Sequence, residues 1–450
     1  MSGATMTEAS AAYDGYQADF ERLQGGADAA GVPAAVISLR QDAMAHFSRL
    51  GFPTTRLEDW RFTNVAPIAS RAYALGNPAE IDGAQAGRLL VPDLPGPRLV
   101  FVNGRFAPSL SSVGAVPAGV EVRSLGDTLA AGLEGVAPHL VSLAGVPEQP
   151  FSALNTAFLQ DGALIKVAEG VVLDAPVQVL FVSTAQGEAV VTHPRVLVIA
   201  EANSQFGVIE SYAGLRDAEY FTNAVTEIDA GAGSVVTHAK VLRESLQAYH
   251  VASLQARLDR SAVVTSTSVT LGGALVRNDV GAVLNGEGAE CTLNGLYVAG
   301  RNQLIDNHTT IDHASPHCDS HELYKGILDG DGRAVFNGKI IVRLDAQKTD
   351  AKQSNKALLL SERAQVNTKP QLEILADDVK CTHGATVGQL DNDALFYLRA
   401  RGLGLEHARR MLIDAFATDV LDRLGYAPLR TQLDRALLER LPAAADEVPA

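Results

Sequence analysis

The pattern of apolar and polar positions divides the chain into five segments. Residues 1–95 are predicted to form helices, and residues 96–164 a mixed connecting region. Residues 165–390 are predicted to be strands, because short β-branched runs alternate there with Gly, Asn and Asp while helical periodicity is scarce. A helical pattern returns over residues 391–441, and residues 442–450 are predicted to be a disordered tail.

Three local patterns sharpen this division. Pro33 can occupy the first turn of a helix that ends at Leu50, immediately before Gly51. The run Arg98–Gly104 is typical of a strand followed by a turn. Near the C-terminus, apolar residues follow helical spacing up to Gly425, at Ala408, Met411, Leu412, Ala415, Phe416, Val420 and Leu424.

The strand-rich segment contains a weak internal repeat. A small residue leads into a strand six times, with spacings of 30, 28, 27, 45 and 30, at Ser204, Ser234, Ala262, Ala289, Ala334 and Ala364. Recurrence at ~20–50 residues is typical of a solenoid, and strand content favours a parallel β-helix with these small residues at its corners. The interval of 45 residues is then expected to hold an insertion. A β-sandwich with chance alignment is the alternative.

Composition narrows the classes of partner. The chain has 37 Lys and Arg against 52 Asp and Glu, a net charge of −15, which disfavours nucleic acid and anionic membranes as ligands. No apolar run approaches the ~18 residues needed to cross a bilayer, and the N-terminus lacks a secretory signal pattern. We therefore expect a cytoplasmic protein.

Cysteines and motifs limit the chemistry of the chain. Three cysteines, Cys291, Cys318 and Cys381, are too few for a disulfide framework and fewer than the ~4 thiolates that normally hold an iron–sulfur cluster. No phosphate-binding loop and no nucleophile elbow is present in the sequence. We therefore expect no nucleotide to be bound by this chain.

One candidate metal site is the histidine-rich run from Asp306 to Glu322. Imidazoles, a thiol and carboxylates could bind iron or zinc there, at His308, His313, His317, Cys318 and His321. Alternate residues of a strand face opposite sides, however, so these groups cannot all converge. The alternative is that the imidazoles are hydrogen-bonded structural groups.

A second candidate site is the pair Cys381 and His383. Residues two apart on a strand share a face, so a thiol and an imidazole can lie side by side, and both suit iron. The alternative is that Cys381 packs as a small apolar residue and that His383 is structural.

Several motifs in order resemble the SufB/SufD family of iron–sulfur cluster assembly scaffolds, and its SufD branch more than its SufB branch. The resemblance covers about residues 50–425. Its motifs are Arg56–Thr63, Leu304–His313, Phe336–Lys339, Gln347–Ala351, Gln353–Asn355, Lys380–Thr386 and Leu395–Gly402.

The resemblance implies a fold, partners and roles. The fold is a central right-handed parallel β-helix between N-terminal and C-terminal helical regions, in a non-enzymatic scaffold subunit. The partners are a SufB-like paralogue, which pairs through the β-helix near His383, and a SufC-like ATPase. A transient cluster shared with SufB forms at His383, with Cys381 as an auxiliary group. Where SufB has its essential cysteine, this chain has Ser361–Asn367 without one.

The C-terminal helical region is implied to dock the ATPase. Its candidate docking residues are Leu395, Phe396, Tyr397, Met411, Leu412 and Phe416. Periodicity alone does not separate docking residues from core residues.

Two other functions stay open at this point. A carbohydrate-active β-helix enzyme needs acids grouped on one face. Asp306 and Asp312 are neighbours on one face, but no ladder of acids repeats through the other coils. A purely structural subunit would leave Cys381 and His383 without a chemical role.

Overall fold

The predicted parallel β-helix between helical regions is confirmed. The computed structural model describes residues 4–26, 31–133, 135–184 and 188–441, so the predicted disordered tail at 442–450 lies outside the described residues. The helices are α1 (Ala4–Gly25), α2 (Ala34–Leu50), α3 (Ala66–Ala69), α4 (Gly83–Leu89), α5 (Leu125–Ala130), α6 (Pro150–Ala157), α7 (Asn392–Ala400), α8 (Leu405–Leu421) and α9 (Ala427–Arg440). As predicted, α2 ends before Gly51, and Pro33 is its N-cap residue.

The strands alternate between two sheets along the chain. In chain order they are β1 (Ala74–Leu75), β2 (Arg98–Val102), β3 (Arg105–Phe106), β4 (Val120–Ser124), β5 (Ala163–Val167), β6 (Val177–Ser183), β7 (Val190–Thr192), β8 (Arg195–Ala200), β9 (Gln205–Gly214), β10 (Phe221–Ala230), β11 (Val235–Arg243), β12 (Tyr249–Leu258), β13 (Val263–Thr270), β14 (Leu275–Leu284), β15 (Glu290–Ala299), β16 (Leu304–His313), β17 (Asp319–Leu328), β18 (Arg333–Val342), β19 (Asp350–Leu359), β20 (Gln365–Ile374) and β21 (Lys380–Gly388).

Two long sheets face each other across the interior of the solenoid. Sheet A runs β20-β18-β16-β14-β12-β10-β8-β5-β4, and sheet B runs β21-β19-β17-β15-β13-β11-β9-β6-β2-β3. Among the named strands of the described residues, only β2–β3 and β4–β5 pair in antiparallel fashion. A β-sandwich, which is built from antiparallel strands, is therefore excluded.

The strand register corrects the predicted insertion. Pairing aligns the residues that precede successive sheet B strands, and these are Ser204, Ser234, Ala262, Ala289, Cys318 and Thr349. Their spacings are 30, 28, 27, 29 and 31, so none of the coils between Ser204 and Thr349 carries an insertion. The prediction was wrong because Ala334 and Ala364 lead into or lie in strands of sheet A, one half-coil away. Strands of the two sheets recur at similar intervals along the chain, so spacing alone does not say which sheet a strand joins.

The helices cover the outer faces of both sheets. Aromatic side chains of α1, α2 and α6, including Tyr16, Phe47 and Phe151, pack on sheet A residues such as Phe221. On the other side, α8 and α9 pack on sheet B through Ile413, Ala417, Val420, Leu421, Leu429, Leu433 and Leu437. Burial of apolar surface therefore fixes both helical layers to the solenoid.

The buried face of α8 differs from the predicted stripe. Of the apolar residues with helical spacing, Ala408 and Val420 on α8 and Leu424 just beyond it are buried, whereas the candidate docking residue Met411 is 44% exposed. Ile413 and Ala417 lie against sheet B instead. α8 ends at Leu421, and a short 3-10 turn (Asp422–Leu424) continues the chain to the predicted Gly425, which adopts a left-handed φ of 74°. Among the described helices, none is both long enough and apolar enough to cross a lipid bilayer.

Candidate functional site

The C-terminal end of the solenoid presents an open coil. Strand β20 is the last strand of sheet A and β21 is the last strand of sheet B. In β21 every residue from Lys380 to Gly388 is at least partly exposed, including Val387, which faces the interior and is 46% exposed. Unpaired strand edges with an uncovered apolar interior are a ready site for another protein to continue the stack.

His383 and Cys381 both lie on the inward face of this open coil. In the ladder between β19 and β21, Ala351 pairs with Cys381 and Gln353 pairs with His383. Ala351 and Gln353 are buried in the interior, and in-register partners point the same way, so Cys381 and His383 also point inward. The structure thus brings the two candidate groups to one face, at the open C-terminal end of the solenoid formed by β20 and β21, which we call the mouth.

The two groups differ in exposure and chemistry. The His383 side chain is exposed at the mouth, whereas Cys381 is half-buried and packs beside Val379 and Leu372. Burial raises the pKa of the Cys381 thiol, so it stays protonated more than an ordinary cysteine and is a weaker ligand until a metal displaces its proton. His383 is therefore the more available ligand of the pair. Among the described residues, no group of three or more His, Cys, Asp and Glu is arranged to hold a metal.

The histidine-rich run does not converge. On β16, His308 points outward beside Asp306, with 3.1 Å from Nε2 to Oδ1, and lines a cavity of about 250 Å³. His313 points inward, and its Nε2 lies 2.9 Å from Ser320 Oγ. Burial lowers the pKa of His313 to about 4, so it stays neutral. His317 occupies a turn with φ of 57°, and His321 is exposed on β17.

Cys318 occupies a corner of the solenoid. It holds the same position in its coil as Ala289 in the preceding coil, and it is fully buried. Its Sγ lies 3.3 Å from the Gly286 carbonyl oxygen, and burial raises its pKa. This cysteine therefore fills the space of a small corner residue and lies apart from His308.

The motif around Trp60 fastens the N-terminal segment to the outer face of sheet A. The Arg277 guanidinium lies 4.4 Å from the Trp60 ring centroid and 2.6 Å from Asp306 Oδ2, and Thr63 donates a hydrogen bond to Asp306. Burial alone would raise the pKa of Asp306, but Arg277 and His308 hold it below its usual value. Asp306 and His308 thus belong to an ion-paired cluster that attaches the N-terminal segment to sheet A.

The acids considered for carbohydrate chemistry are both paired. Asp306 is held by Arg277, and Asp312 accepts two hydrogen bonds from Arg343 at 2.6 and 2.9 Å. Neither is presented as a general acid or nucleophile.

The candidate docking residues divide by exposure. Phe396 and Tyr397 on α7 are 74% and 57% exposed, and Met411 on α8 is also exposed. Leu395, Leu412 and Phe416 are half-buried. Phe416 is engaged with the solenoid, because Lys325 Nζ lies 4.7 Å from its ring centroid and donates to its carbonyl oxygen at 3.0 Å. Phe396 and Tyr397 are thus the most accessible aromatic groups of the six.

The interior polar residues near the mouth were not assigned a role from the sequence. Glu322, Gln353 and Asn355 point into the solenoid and are buried. Gln353 Nε2 donates to Glu322 Oε2 at 2.6 Å, and Asn355 Nδ2 donates to Thr368 Oγ1 at 2.9 Å across the two sheets. A polar residue recurring at inward positions of a solenoid strand is the signal that could have found them.

Two family models match the chain. The SUF system FeS cluster assembly SufBD core domain matches residues 181–416, and the SufBD protein N-terminal region matches residues 17–179. The core-domain match thus spans the solenoid from β6 to α8.

Similar proteins come from several bacteria. The chain is 34% identical over 411 residues to the iron–sulfur cluster assembly protein SufD of Escherichia coli (strain K12), covering 90% of this chain and 93% of that protein. It is 34% identical over 406 residues to an iron–sulfur cluster assembly SufBD family protein of Synechocystis, covering 88% and 89%. It is 29% identical over 294 residues to the iron–sulfur cluster assembly protein SufD of Bacillus subtilis (strain 168), covering 64% and 66%.

Proposed function

Because this chain belongs to the SufBD family of iron–sulfur cluster assembly proteins, we propose that it is a SufD-type scaffold subunit without catalytic activity of its own. It pairs with a SufB-like paralogue, docks a SufC-like ATPase and works in the cytoplasm. The nascent iron–sulfur cluster is its cargo, formed transiently at the interface with the paralogue.

The single observation that carries this proposal is the open coil at β20 and β21. Its strand edges and apolar interior are uncovered, and His383 stands on the uncovered face. A paralogue with the same coil dimensions can continue both sheets and bury this surface. Such pairing would bring the partner's thiolates next to His383. This chain, which has few cysteines, would then contribute an imidazole ligand to the cluster.

The proposal is tested by a His383→Ala variant in the reconstituted complex. The variant should assemble normally, because the exposed ring contributes little to packing. Cluster formation, followed as iron and acid-labile sulfide per complex, should fall by at least ~10-fold, since even outer-shell ligand partners are worth that much. Cys381→Ala should have a smaller effect.

Thr382→Ala is the matched control, since Thr382 is an exposed neighbour on the opposite face of the same strand. Wild-type rates of iron and sulfide incorporation by His383→Ala complexes would refute a cluster role for this residue. The scaffold assignment would then stand without a chemical site in this chain.

ATPase docking is proposed for the exposed face of α7. Phe396→Ala should weaken SufC binding by ~10-fold or more, as for an aromatic anchor of an interface. Leu438→Ala on α9 is the control, because Leu438 is an exposed apolar residue of the same helical layer. Equal affinities for both variants and wild type would contradict docking at α7.

A point substitution on α7 tests SufC docking more specifically than truncation of the chain near residue 390. Removing α8 and α9 would uncover sheet B residues such as Val241, Val269 and Leu296. If a truncated chain failed to bind SufC, the cause could therefore be the newly exposed apolar surface of sheet B as readily as the loss of the docking interface.

A further inference from the structure

The amide of Gln353 is held in one orientation inside the solenoid. Its Nε2 donates to Glu322 Oε2 at 2.6 Å. Gly338, on the facing strand β18, leaves room for this amide, because a Cβ built at Gly338 would lie 2.2 Å from Gln353 Nε2. The Phe336–Lys339 motif therefore includes a glycine that the position of Gln353 requires.

The other end of the same amide lacks a partner. Gln353 is 3% exposed, and its Oε1 is buried without a hydrogen-bond partner among the described residues. A buried carbonyl oxygen without a hydrogen bond is destabilising, which points to a donor from a neighbouring side chain. The amide is planar, and with its nitrogen directed at Glu322 in the preceding coil, its oxygen is directed away from that coil.

His383 is the next inward residue in that direction. Glu322 pairs with Gln353, and Gln353 pairs with His383, so the three side chains stack along one row of the ladder. The structure shows no hydrogen bond between the two side chains, but adjacent strands are only ~4.8 Å apart, so a rotation of the His383 side chain can bring a ring N–H to the Gln353 oxygen.

We propose that Gln353, held by Glu322, is a positioning residue for His383. Its carbonyl oxygen accepts a hydrogen bond from one ring N–H, which fixes the tautomer and leaves the other ring nitrogen unprotonated and facing the open mouth. Metal-ligating histidines commonly donate their second N–H to such a carbonyl. The inference deepens the proposed cluster role of His383 and rests on it.

The direct test is the tautomer of His383 in the full-length chain. Nitrogen-15 NMR of the ring at pH 8, assigned by comparison with His383→Ala, should show one dominant tautomer in wild type. Gln353→Met keeps the side-chain volume and removes the acceptor, so the ring should shift to the mixture of tautomers of a free imidazole. Unchanged tautomer populations in Gln353→Met would overturn the proposal.

Asn355→Leu is the matched control. Asn355 is also a buried amide of β19, but its neighbour in the ladder is Ala385, which has no polar side chain. Its substitution should leave the His383 tautomer as in wild type. A shift equal to that of Gln353→Met would mean that the effect is general loosening of the mouth, and would also overturn the proposal.

Glu322 variants test the support behind Gln353. Glu322→Gln keeps an acceptor for Gln353 Nε2 and should preserve the tautomer, whereas Glu322→Leu should shift it as Gln353→Met does. This pair also keeps the test decisive if Gln353→Met folds poorly. Identical spectra for Glu322→Gln and Glu322→Leu would refute orientation by Glu322.

Cluster assembly separates this inference from the proposed function. In the reconstituted complex, Gln353→Met should slow iron and sulfide incorporation by ~10–100-fold, the range for loss of an outer-shell partner. If Gln353→Met shifts the tautomer of His383 while His383→Ala retains full activity, the cluster role of His383 is refuted but its orientation by Gln353 stands. If His383→Ala loses activity while Gln353→Met leaves the tautomer unchanged, only the orientation of His383 by Gln353 is refuted.

Discussion

The buried carboxyl of Glu322 should make the stability of the fold depend on pH in an unusual direction. Burial raises the pKa of Glu322 from 4.5 to about 7, against smaller opposing effects of hydrogen bonds from Thr309 and Gln353. The change we consider is Glu322→Gln, which keeps the shape and a hydrogen-bond acceptor but cannot ionise.

The sign follows from proton uptake on folding. Below pH 4.5 the carboxyl is protonated in both states, and between pH 4.5 and 7 the unfolded chain ionises first. The contribution of Glu322 to the stability of wild type therefore falls as pH rises through this window, by about 3 kcal/mol in total at about 1.4 kcal/mol per pKa unit. Relative to wild type, Glu322→Gln should become more stable by about 2–3 kcal/mol between pH 5 and 8.

The assay is denaturant-induced unfolding of both proteins at pH 5, 6, 7 and 8. Other titrating groups, such as His313 with its pKa lowered to about 4 by burial, are shared by both proteins and cancel in the difference. Two buried groups that interact with Glu322, Cys291 and Tyr324, have pKa values raised by burial and do not ionise in this range. A difference that is constant from pH 5 to 8, or that falls with pH, would refute a protonated Glu322.

Three further substitutions test how the solenoid is held together. Arg195→Met should destabilise the protein by ~3–5 kcal/mol in denaturant unfolding, because it leaves Glu227, its fully buried ion-pair partner, as an uncompensated charge. An unchanged unfolding midpoint would contradict this. Gly326→Ala should cost ~1–3 kcal/mol, since its Cβ would lie 2.3 Å from the Tyr297 ring. Gly384→Ala, where nothing lies within 4 Å, should change stability by less than ~0.5 kcal/mol, and equal effects of the two would refute the packing argument.

The fold class followed from local features that survive without tertiary contacts. Short β-branched runs at a recurring interval indicated stacked coils. Glycines marked the end of α2, at Gly51, and the end of the 3-10 turn that follows α8, at Gly425. The family motifs indicated the SufBD family, and the comparisons show it. These properties are encoded residue by residue, so the sequence determines them.

The grouping of the site residues required the tertiary structure. The dense run from His308 to Cys318 looked like a metal site, yet its members face outward, inward and into a corner. Gln353 and His383, which are 30 residues apart in the chain, became neighbours in one ladder.

The physical reason is that contacts inside a solenoid are decided by strand register and not by nearness in the sequence. One strand alternates its side chains between two faces, so neighbours in sequence are separated, whereas residues a full coil apart stack at ~4.8 Å. Spacing alone also could not say which sheet a strand joins, and this produced the false insertion before Ala334. Composition and periodicity determined the architecture, and strand register decided which side chains meet.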